Sequence, residues 1–261
     1  MTRDERYRPE GTSMTEFCGD GELGYLRSRT RFSAEKGLGL DEAYRLAHLP
    51  LVAAQHPRAI ARREGSGYEM GRHERVFSLV LPVPWEALRG STAYRELESE
   101  IAAQPFARKL AWNILKQRRD KLHMTICGRL GTGDIPPVFE AKALGELARI
   151  SPASVELRGL FSGNVNLGRL YLRAYPQRRD GINIFRHIQK LLGRPETDLY
   201  VVGLHNLVDD LDAQEASALA ALIERWWDRP ILRFQADSLW ILGAKDDLVL
   251  DSAVAGTVRF A

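Results

Sequence analysis

Two histidines, His123 and His205, are the residues best suited to chemistry in this sequence, and each lies within an apolar run typical of a buried strand. They are 82 residues apart. An imidazole accepts or donates a proton near neutral pH, so two imidazoles at one reacting group divide the acid and base roles between them. A single histidine in such a run is more simply a core residue, so the interpretation depends on its neighbours.

The segment LHMTICGRL (122–130) places further polar groups beside the first histidine. Because side chains alternate along a strand, we expect His123, Thr125, Cys127 and Arg129 on one face and the intervening apolar residues in a core. A hydroxyl donates to a phosphoryl oxygen, and a guanidinium adds charge-assisted hydrogen bonds. The face therefore predicts a phosphate site, with the side chains of Thr125 and Arg129 as substrate contacts.

A second polar face is predicted in the segment LGRLYLRAYP (167–176), where Arg169, Tyr171 and Arg173 alternate with apolar residues. Such a face can stack a base and bind a phosphodiester, which makes Tyr171 and Arg173 candidate substrate contacts. It is equally typical of a solvated sheet face whose long side chains cover apolar surface.

The elements that must position these residues follow from periodicity and turn signals. Apolar runs predict strands over 76–84, 122–130, 155–163, 167–176, 199–208 and 231–242. Helical spacing predicts helices over 86–119, with an interruption at Pro105, and over 141–150, 182–193 and 212–228. In the last helix, Asp212 is placed as N-cap with Glu215 three residues on. Strands interleaved with helices indicate an α+β fold, and residues 1–75, polar with short helices, are expected to be an N-terminal extension to a main domain over 76–261.

The composition excludes several classes of protein. With 37 Lys and Arg against 34 Asp and Glu, the net charge is +3, and 44% of the 261 residues are hydrophobic, so the chain is not disordered. This charge permits a local basic cleft but not wholesale wrapping of nucleic acid, and no DNA partner is expected. No apolar run is long enough to span a membrane and no secretory signal is evident, so a cytoplasmic location with reduced Cys18 and Cys127 is expected.

The segment KLHMTICGRLG resembles the first H-x-T motif of the two-histidine (2H) phosphoesterases, which include bacterial 2′,5′ RNA ligase-like proteins and cyclic phosphodiesterases. The order of elements over 76–245 and the spacing of the histidines are similar as well. The resemblance implies a bilobal, pseudo-symmetric fold in which two antiparallel sheets line a central cleft and helices pack outside. The lobes would cover about 76–150 and 151–250.

The resemblance also implies a function. The family cleaves 2′,3′-cyclic phosphates or related phosphodiesters, or joins and opens 2′,5′ linkages in RNA, without a metal or other cofactor. The expected partner is thus a nucleotide or an RNA end. Carried over to this sequence, His123 and His205 would be the acid/base pair and Thr125 would bind phosphate.

One departure from the family pattern leaves two hypotheses open. Leu207 stands where the second motif has Thr or Ser, and leucine cannot donate a hydrogen bond. Asn206 offers an amide as a substrate contact, but alternation aims it away from His205 unless a bulge redirects it. The chain is therefore either a phosphodiesterase or a catalytically weakened relative that binds a nucleotide or RNA phosphate without turnover. A hydrolase with a separate nucleophile has no supporting G-x-S-x-G motif.

Overall fold

The computed structural model describes residues 15–33 and 35–261 of the chain. The helices are α1 (Tyr25–Ser28), α2 (Glu42–Ala47), α3 (Leu49–Val52), α4 (Trp85–Gly90), α5 (Thr92–Ala102), α6 (Trp112–Arg118), α7 (Ala141–Leu147), α8 (Ile184–Leu191) and α9 (Ala213–Trp226). The strands are β1 (Arg72–Pro82), β2 (His123–Thr132), β3 (Ala153–Ser162), β4 (Arg169–Pro176), β5 (Arg178–Arg179), β6 (Ile182–Asn183), β7 (Val201–Asn206), β8 (Pro230–Ala236), β9 (Ser238–Asp246) and β10 (Ser252–Arg259).

Eight strands form one antiparallel sheet in the order β10-β9-β1-β2-β7-β4-β3-β8. The central pair, β2 and β7, is joined only at Met124 and Val202. The sheet therefore consists of two four-stranded halves that meet at a single rung, which we call the first half (β10-β9-β1-β2) and the second half (β7-β4-β3-β8). The predicted α+β fold with antiparallel sheets and outer helices is confirmed.

The halves do not follow the chain order. β9 pairs with β1 and β10 pairs with β9, so residues 238–259 complete the first half. The sheet halves therefore differ from the predicted division into 76–150 and 151–250. The segment SAVAGTVR of β10 was not predicted as a strand, because its small residues carry a weak pattern and its pairing is set by the neighbouring strand.

The helix α9 confirms its sequence signals. Asp212 accepts a hydrogen bond from the Glu215 backbone while the Glu215 side chain accepts from the Asp212 backbone, which forms a capping box. The helix buries one apolar face against the sheet. Gly159 of β3, at φ +51°, lies where a Cβ atom would come within 2.6 Å of the Trp226 and Trp227 carbonyls, so only glycine permits this close approach.

The N-terminal extension packs on the second half. The Tyr25 side chain is fully buried, and its hydroxyl lies 2.6 Å from the Ala174 carbonyl and 2.8 Å from the Tyr200 carbonyl. The Tyr44 hydroxyl donates to the Leu207 carbonyl at 2.6 Å. The described part of the extension thus contributes to the core. Across the residues that the structure describes, no helix is both long enough and apolar enough to cross a membrane.

Candidate active site

A cavity of about 320 Å³ opens where the two halves meet, so that both contribute to its walls. Its polar lining comes from strands β1, β2, β4 and β9, from helix α6 and the 3₁₀ turn that follows it (Arg119–Lys121), and from the turn after β9. These residues are His73, Ser78, Arg118, Lys121, His123, Thr125, Arg169, Tyr171, Asp246 and Asp247. The cavity therefore brings together two arginines, a lysine and two histidines from separate segments of the chain.

His123 begins β2 and lines this cavity. Its Nδ1 atom lies 2.7 Å from the Lys121 carbonyl oxygen, which can only accept, so Nδ1 carries the hydrogen and Nε2 keeps its lone pair. Burial, and then the charges of Arg169 and Arg118, lower the pKa of His123 to about 4. The imidazole is therefore neutral at pH 7 and able to accept a proton at Nε2.

Thr125 is exposed and lines the cavity, whereas Met124 and Ile126 are buried, as strand alternation predicts. The prediction fails at Cys127. The β1–β2 ladder passes from Thr125 directly to Cys127, so a bulge at Ile126 turns the thiol into the core. Burial raises the pKa of Cys127 to about 11, which leaves it an unreactive thiol.

Arg129 lies beyond the same bulge and does not line the cavity. Its backbone has φ +50°, in the left-handed region, and its side chain is exposed. The prediction of a phosphate contact at Arg129 is wrong, because the irregular strand no longer alternates from Thr125 onward.

His205 lies outside the cavity, contrary to the prediction that both histidines share it. The ring is 1% exposed, and its Nε2 atom lies 2.7 Å from Oε1 of Glu98 on α5. Its ring also packs edge-to-face against Trp112 of α6, with the centroids 4.9 Å apart. The two imidazoles therefore point to different parts of the molecule.

A bulge in β7 explains the position of His205. In the β4–β7 ladder Tyr171 pairs with Gly203 and Leu170 pairs with His205, so Leu204 is an extra residue. Residues directly opposite on paired strands share a face. His205 consequently shares the face of Leu170, which is fully buried beneath the helices.

The same bulge moves the residues after His205. Asn206 pairs with Arg169, is fully buried, and has no hydrogen-bond partner for either amide atom among the described residues. Its side chain does not line the cavity. Leu207 follows the end of β7, is fully buried, and donates its backbone N–H to the Gly168 carbonyl at 2.7 Å.

The register of the central rung shows which residues of β7 occupy the positions expected of a second motif. Met124 is the middle residue of the first motif and pairs with Val202. A twofold rotation about this pair relates His123 to Val201 and Thr125 to Gly203. Both of these β7 residues line the cavity. The second half therefore presents an isopropyl group and a bare backbone where the first half presents an imidazole and a hydroxyl.

The guanidinium of Arg169 fills the space beside Gly203, where a Cβ atom would collide with it. Its Nη1 atom donates to the Asp247 carbonyl at 3.0 Å, and the group lies over the Tyr171 ring at 5.3 Å. Tyr171 lines the cavity as the sequence predicts. Arg169 is on the predicted basic face of β4, so the sequence pattern already indicated a cation on this face.

Arg118 is a site residue that the sequence did not reveal, since it is one of several cations at the end of α6. It is 3% exposed, donates to the Leu204 carbonyl at 3.2 Å, and has no partner for Nε among the described residues. Burial, and then the neighbouring Arg169, lower its pKa to about 9. Two close guanidiniums with no carboxylate ion pair within the described chain repel each other, so a bound anion would stabilise both.

The carboxylates of the cavity are already compensated. Asp246 accepts backbone hydrogen bonds from Leu248, Leu250 and Asp251, which makes it a turn residue. Asp247 lies 3.3 Å from His73. Its burial raises its pKa, but hydrogen bonding outweighs this and lowers the pKa to about 2.

His73 carries the matching positive charge. The hydrogen bond with Asp247 raises its pKa, although burial opposes the shift. The Tyr68 hydroxyl donates to the same carboxylate at 2.9 Å. Among the described residues, the cavity is left with the uncompensated charges of Arg118, Arg169 and Lys121.

Arg173 is not available to a ligand, contrary to the sequence prediction. It is fully buried, pairs with Asp20 of the extension at 3.3 Å, and stacks 3.7 Å from the centre of the Trp227 ring. Burial lowers its pKa. The N-terminal extension covers this end of the polar face of β4, so the residue stabilises the packing of the extension instead.

Within residues 15–33 and 35–261, no group of three or more His, Cys, Asp or Glu side chains could hold a metal ion.

The chain was compared with known protein families, sequences and structures. No family model and no curated protein sequence match the chain.

Two solved structures share part of its arrangement. The protein TT0787 of Thermus thermophilus has 15% sequence identity and a TM-score of 0.38, with 70% of this chain and 97% of that chain covered. Escherichia coli LigT, solved in complex with NADP+, has 14% identity and a TM-score of 0.33, with 72% and 95% covered. These likenesses carry no inference about chemistry, which depends on the side chains of the cavity.

Proposed function

We propose that the cavity binds a phosphodiester of a nucleotide or RNA end, such as a 2′,3′-cyclic phosphate, and that the protein hydrolyses it slowly with His123 as general base. The supporting observation is the pair of guanidiniums, Arg118 and Arg169, that lie beside a neutral imidazole without a carboxylate partner in the described chain. Guanidiniums bind phosphate oxygens through paired charge-assisted hydrogen bonds.

The reaction follows from the positions of these groups. Nε2 of His123 takes a proton from water as the water oxygen attacks phosphorus, and the bond from phosphorus to the leaving ribose oxygen breaks. The guanidiniums and the Thr125 hydroxyl stabilise the charge that develops on the phosphoryl oxygens. Val201 stands at the counterpart of His123, and the other imidazole of the cavity, that of His73, is held by Asp247, so the leaving oxygen takes its proton from water. This makes hydrolysis slow for poor leaving groups.

The leaving-group dependence tests this mechanism. Bis(4-nitrophenyl) phosphate, whose leaving group needs no proton, should be hydrolysed faster than 2′,3′-cyclic AMP or a 2′,5′-linked oligonucleotide. Both activities should fall in His123→Ala, since loss of a general base costs roughly 10²–10⁴-fold. Unchanged turnover in that variant would remove His123 from the mechanism.

A second candidate function is binding of the nucleotide or RNA phosphate without turnover. It is favoured by Val201 and Gly203, which leave β7 without an imidazole or a hydroxyl at the positions that correspond to His123 and Thr125. Calorimetric titration with 2′,3′-cyclic AMP distinguishes the two. Binding that is lost in Thr125→Val, with no product formed by the wild-type protein, supports this candidate and contradicts hydrolysis.

A further inference from the structure

A second cavity, of about 850 Å³, lies among helices α4, α5 and α6. It shares no lining residue with the cavity that contains His123 and Thr125, which we call the phosphate cavity. Three aromatic side chains contribute to its walls: Trp85, Tyr94 and Trp112. Trp85 and Tyr94 meet edge-to-face with their ring centroids 6.1 Å apart. We call this the aromatic cavity. Its walls suit a flat ring, because aromatic side chains stack on any planar π-system.

Two hydrogen-bond donors in this wall lack acceptors. The indole Nε1 of Trp85 and the hydroxyl of Tyr94 are both buried and have no partner among the described residues. Burial, then the charge of Glu98 and the nearness of its carboxylate to the hydroxyl, raise the pKa of Tyr94, so the hydroxyl keeps its hydrogen and remains a donor that no described acceptor fully satisfies. A buried donor without an acceptor is unfavourable, and a ligand with ring acceptors would satisfy both.

A carboxylate is held in the same wall. Glu98 lines the aromatic cavity, and its Oε1 atom is held at 2.7 Å by Nε2 of His205. His205 also packs against Trp112, so it supports two parts of the wall at once. The histidine predicted to be catalytic is therefore a positioning residue here. It leaves Oε2 of Glu98 as an acceptor for a ligand.

The rim of the aromatic cavity is cationic. Lys116 and Arg119 are exposed on α6 and just after it. Lys116 has no ion pair within the described residues, and the nearest acid to Arg119 is Asp120 at 3.9 Å. Arg89, by contrast, is paired with Glu86 at 2.7 Å. Arg95 also lines the cavity, and its described partners are the uncharged Gly90 carbonyl and Thr92 hydroxyl, so three charges of the rim remain available to an anionic group.

We propose that the aromatic cavity binds a guanine nucleotide. The base stacks on the aromatic wall, its ring and exocyclic N–H groups donate to Glu98, and its O6 or N7 atom accepts from Tyr94 or Trp85. The phosphate reaches Lys116 and Arg119. Adenine fits less well, because it presents a ring-nitrogen acceptor to the carboxylate where guanine presents a donor. The site is independent of the function proposed for the phosphate cavity.

Tryptophan fluorescence tests this proposal, because the lining of the aromatic cavity contains Trp85 and Trp112 and that of the phosphate cavity contains no tryptophan. Titration with GMP should change the emission saturably. AMP should bind at least about tenfold more weakly, as expected for a mismatched buried polar edge. Guanosine should bind more weakly than GMP, by the contribution of the phosphate.

Variants locate the site. Glu98→Gln should weaken GMP binding about tenfold and reduce the preference over AMP, while Thr125→Val, in the other cavity, should leave it unchanged. Lys116→Ala should lower the affinity for GMP but not for guanosine. This exposed variant keeps the test decisive if Glu98→Gln lowers the thermal unfolding midpoint. The absence of a saturable response to GMP, equal binding of AMP, or a loss confined to Thr125→Val would overturn the proposal.

Discussion

The two strands that meet at the central rung, β2 and β7, were expected to contribute equally, yet they present different chemistry to the cavity. Alternation in β2 is regular from His123 to Thr125 and fails only afterwards, at Ile126. In β7 the extra residue is Leu204, directly before His205. Because side chains alternate with a period of two, one inserted residue moves all that follow to the other face. The position of a bulge relative to a histidine thus decides whether that histidine reaches the cavity.

The largest expected effect separates the two histidines. His123→Ala should reduce hydrolysis of bis(4-nitrophenyl) phosphate roughly 10²–10⁴-fold, because the general base is lost. His205→Ala should keep turnover within about twofold. It should instead lower the free energy of unfolding by about 1–3 kcal/mol, since Glu98 loses its buried partner. Steady-state kinetics measures the turnover of the two variants, and urea denaturation measures their free energies of unfolding. A large loss of kcat in His205→Ala at unchanged stability would contradict the comparison.

The next largest effect is expected on ligand affinity when Gly203 is substituted. Gly203→Ala places a Cβ atom against the Arg169 guanidinium and should displace it. Loss of a hydrogen bond to a charged group costs about 1.5–3 kcal/mol, so the affinity for 2′,3′-cyclic AMP should fall roughly tenfold to a hundredfold. Isothermal titration calorimetry measures this affinity. Gly128→Ala, whose Cβ atom would have only an ordinary contact at 3.9 Å, is the matched control and should bind normally.

Placing a second histidine at the position related to His123 by the twofold rotation should increase the rate of hydrolysis. Val201→His puts an imidazole at the counterpart of His123, where it can protonate the leaving oxygen, and hydrolysis of 2′,3′-cyclic AMP should rise at least about tenfold. The rate on bis(4-nitrophenyl) phosphate should change little, because its leaving group needs no acid. Val201→Leu is the control for altered packing. An equal rise in Val201→Leu would show that the twofold relation does not describe the site.

The smallest effect concerns stability at low pH. Burial lowers the pKa of His123 to about 4 and that of His48 to about 3, below the ordinary value of 6.5. At pH values between about 4 and 6.5 the unfolded chain binds more protons than the folded chain. The contribution of these histidines to the free energy of unfolding is therefore complete above about pH 6.5 and decreases as the pH falls towards 4. Urea denaturation from pH 7 to 4.5 should show this slope, and His123→Gln should reduce it. An unchanged slope in that variant would exclude His123 as a contributor.

Much of the fold follows from local signals that agree with each other. The capping residues Asp212 and Glu215 located α9 to within two residues at each end, and the alternation in 167–176 located β4. The pairing of β9 with β1, and of β10 with β9, had no local signal, since strand partners are chosen by tertiary contacts.

The residues of the candidate site were harder to predict from the sequence than the helices and strands. His123, Thr125 and Tyr171 were identified because regular alternation holds where they lie. Arg118 was missed because a cation at a helix end usually faces solvent, and its burial depends on how α6 packs against β7. Arg173 was misassigned because only the docked extension, through Asp20, shows that it is covered.

By itself, the sequence determined the α+β class, the main strands and helices, and the polar face that His123 and Thr125 share, because periodicity and side-chain chemistry act over a few neighbouring residues. Only the tertiary structure decided which face His205 occupies, which arginines meet beside His123, and that Val201 and Gly203 lie opposite the motif. The physical reason is that strand register and bulges are set by pairing between segments far apart in the chain, and one residue of register exchanges the two faces of a sheet.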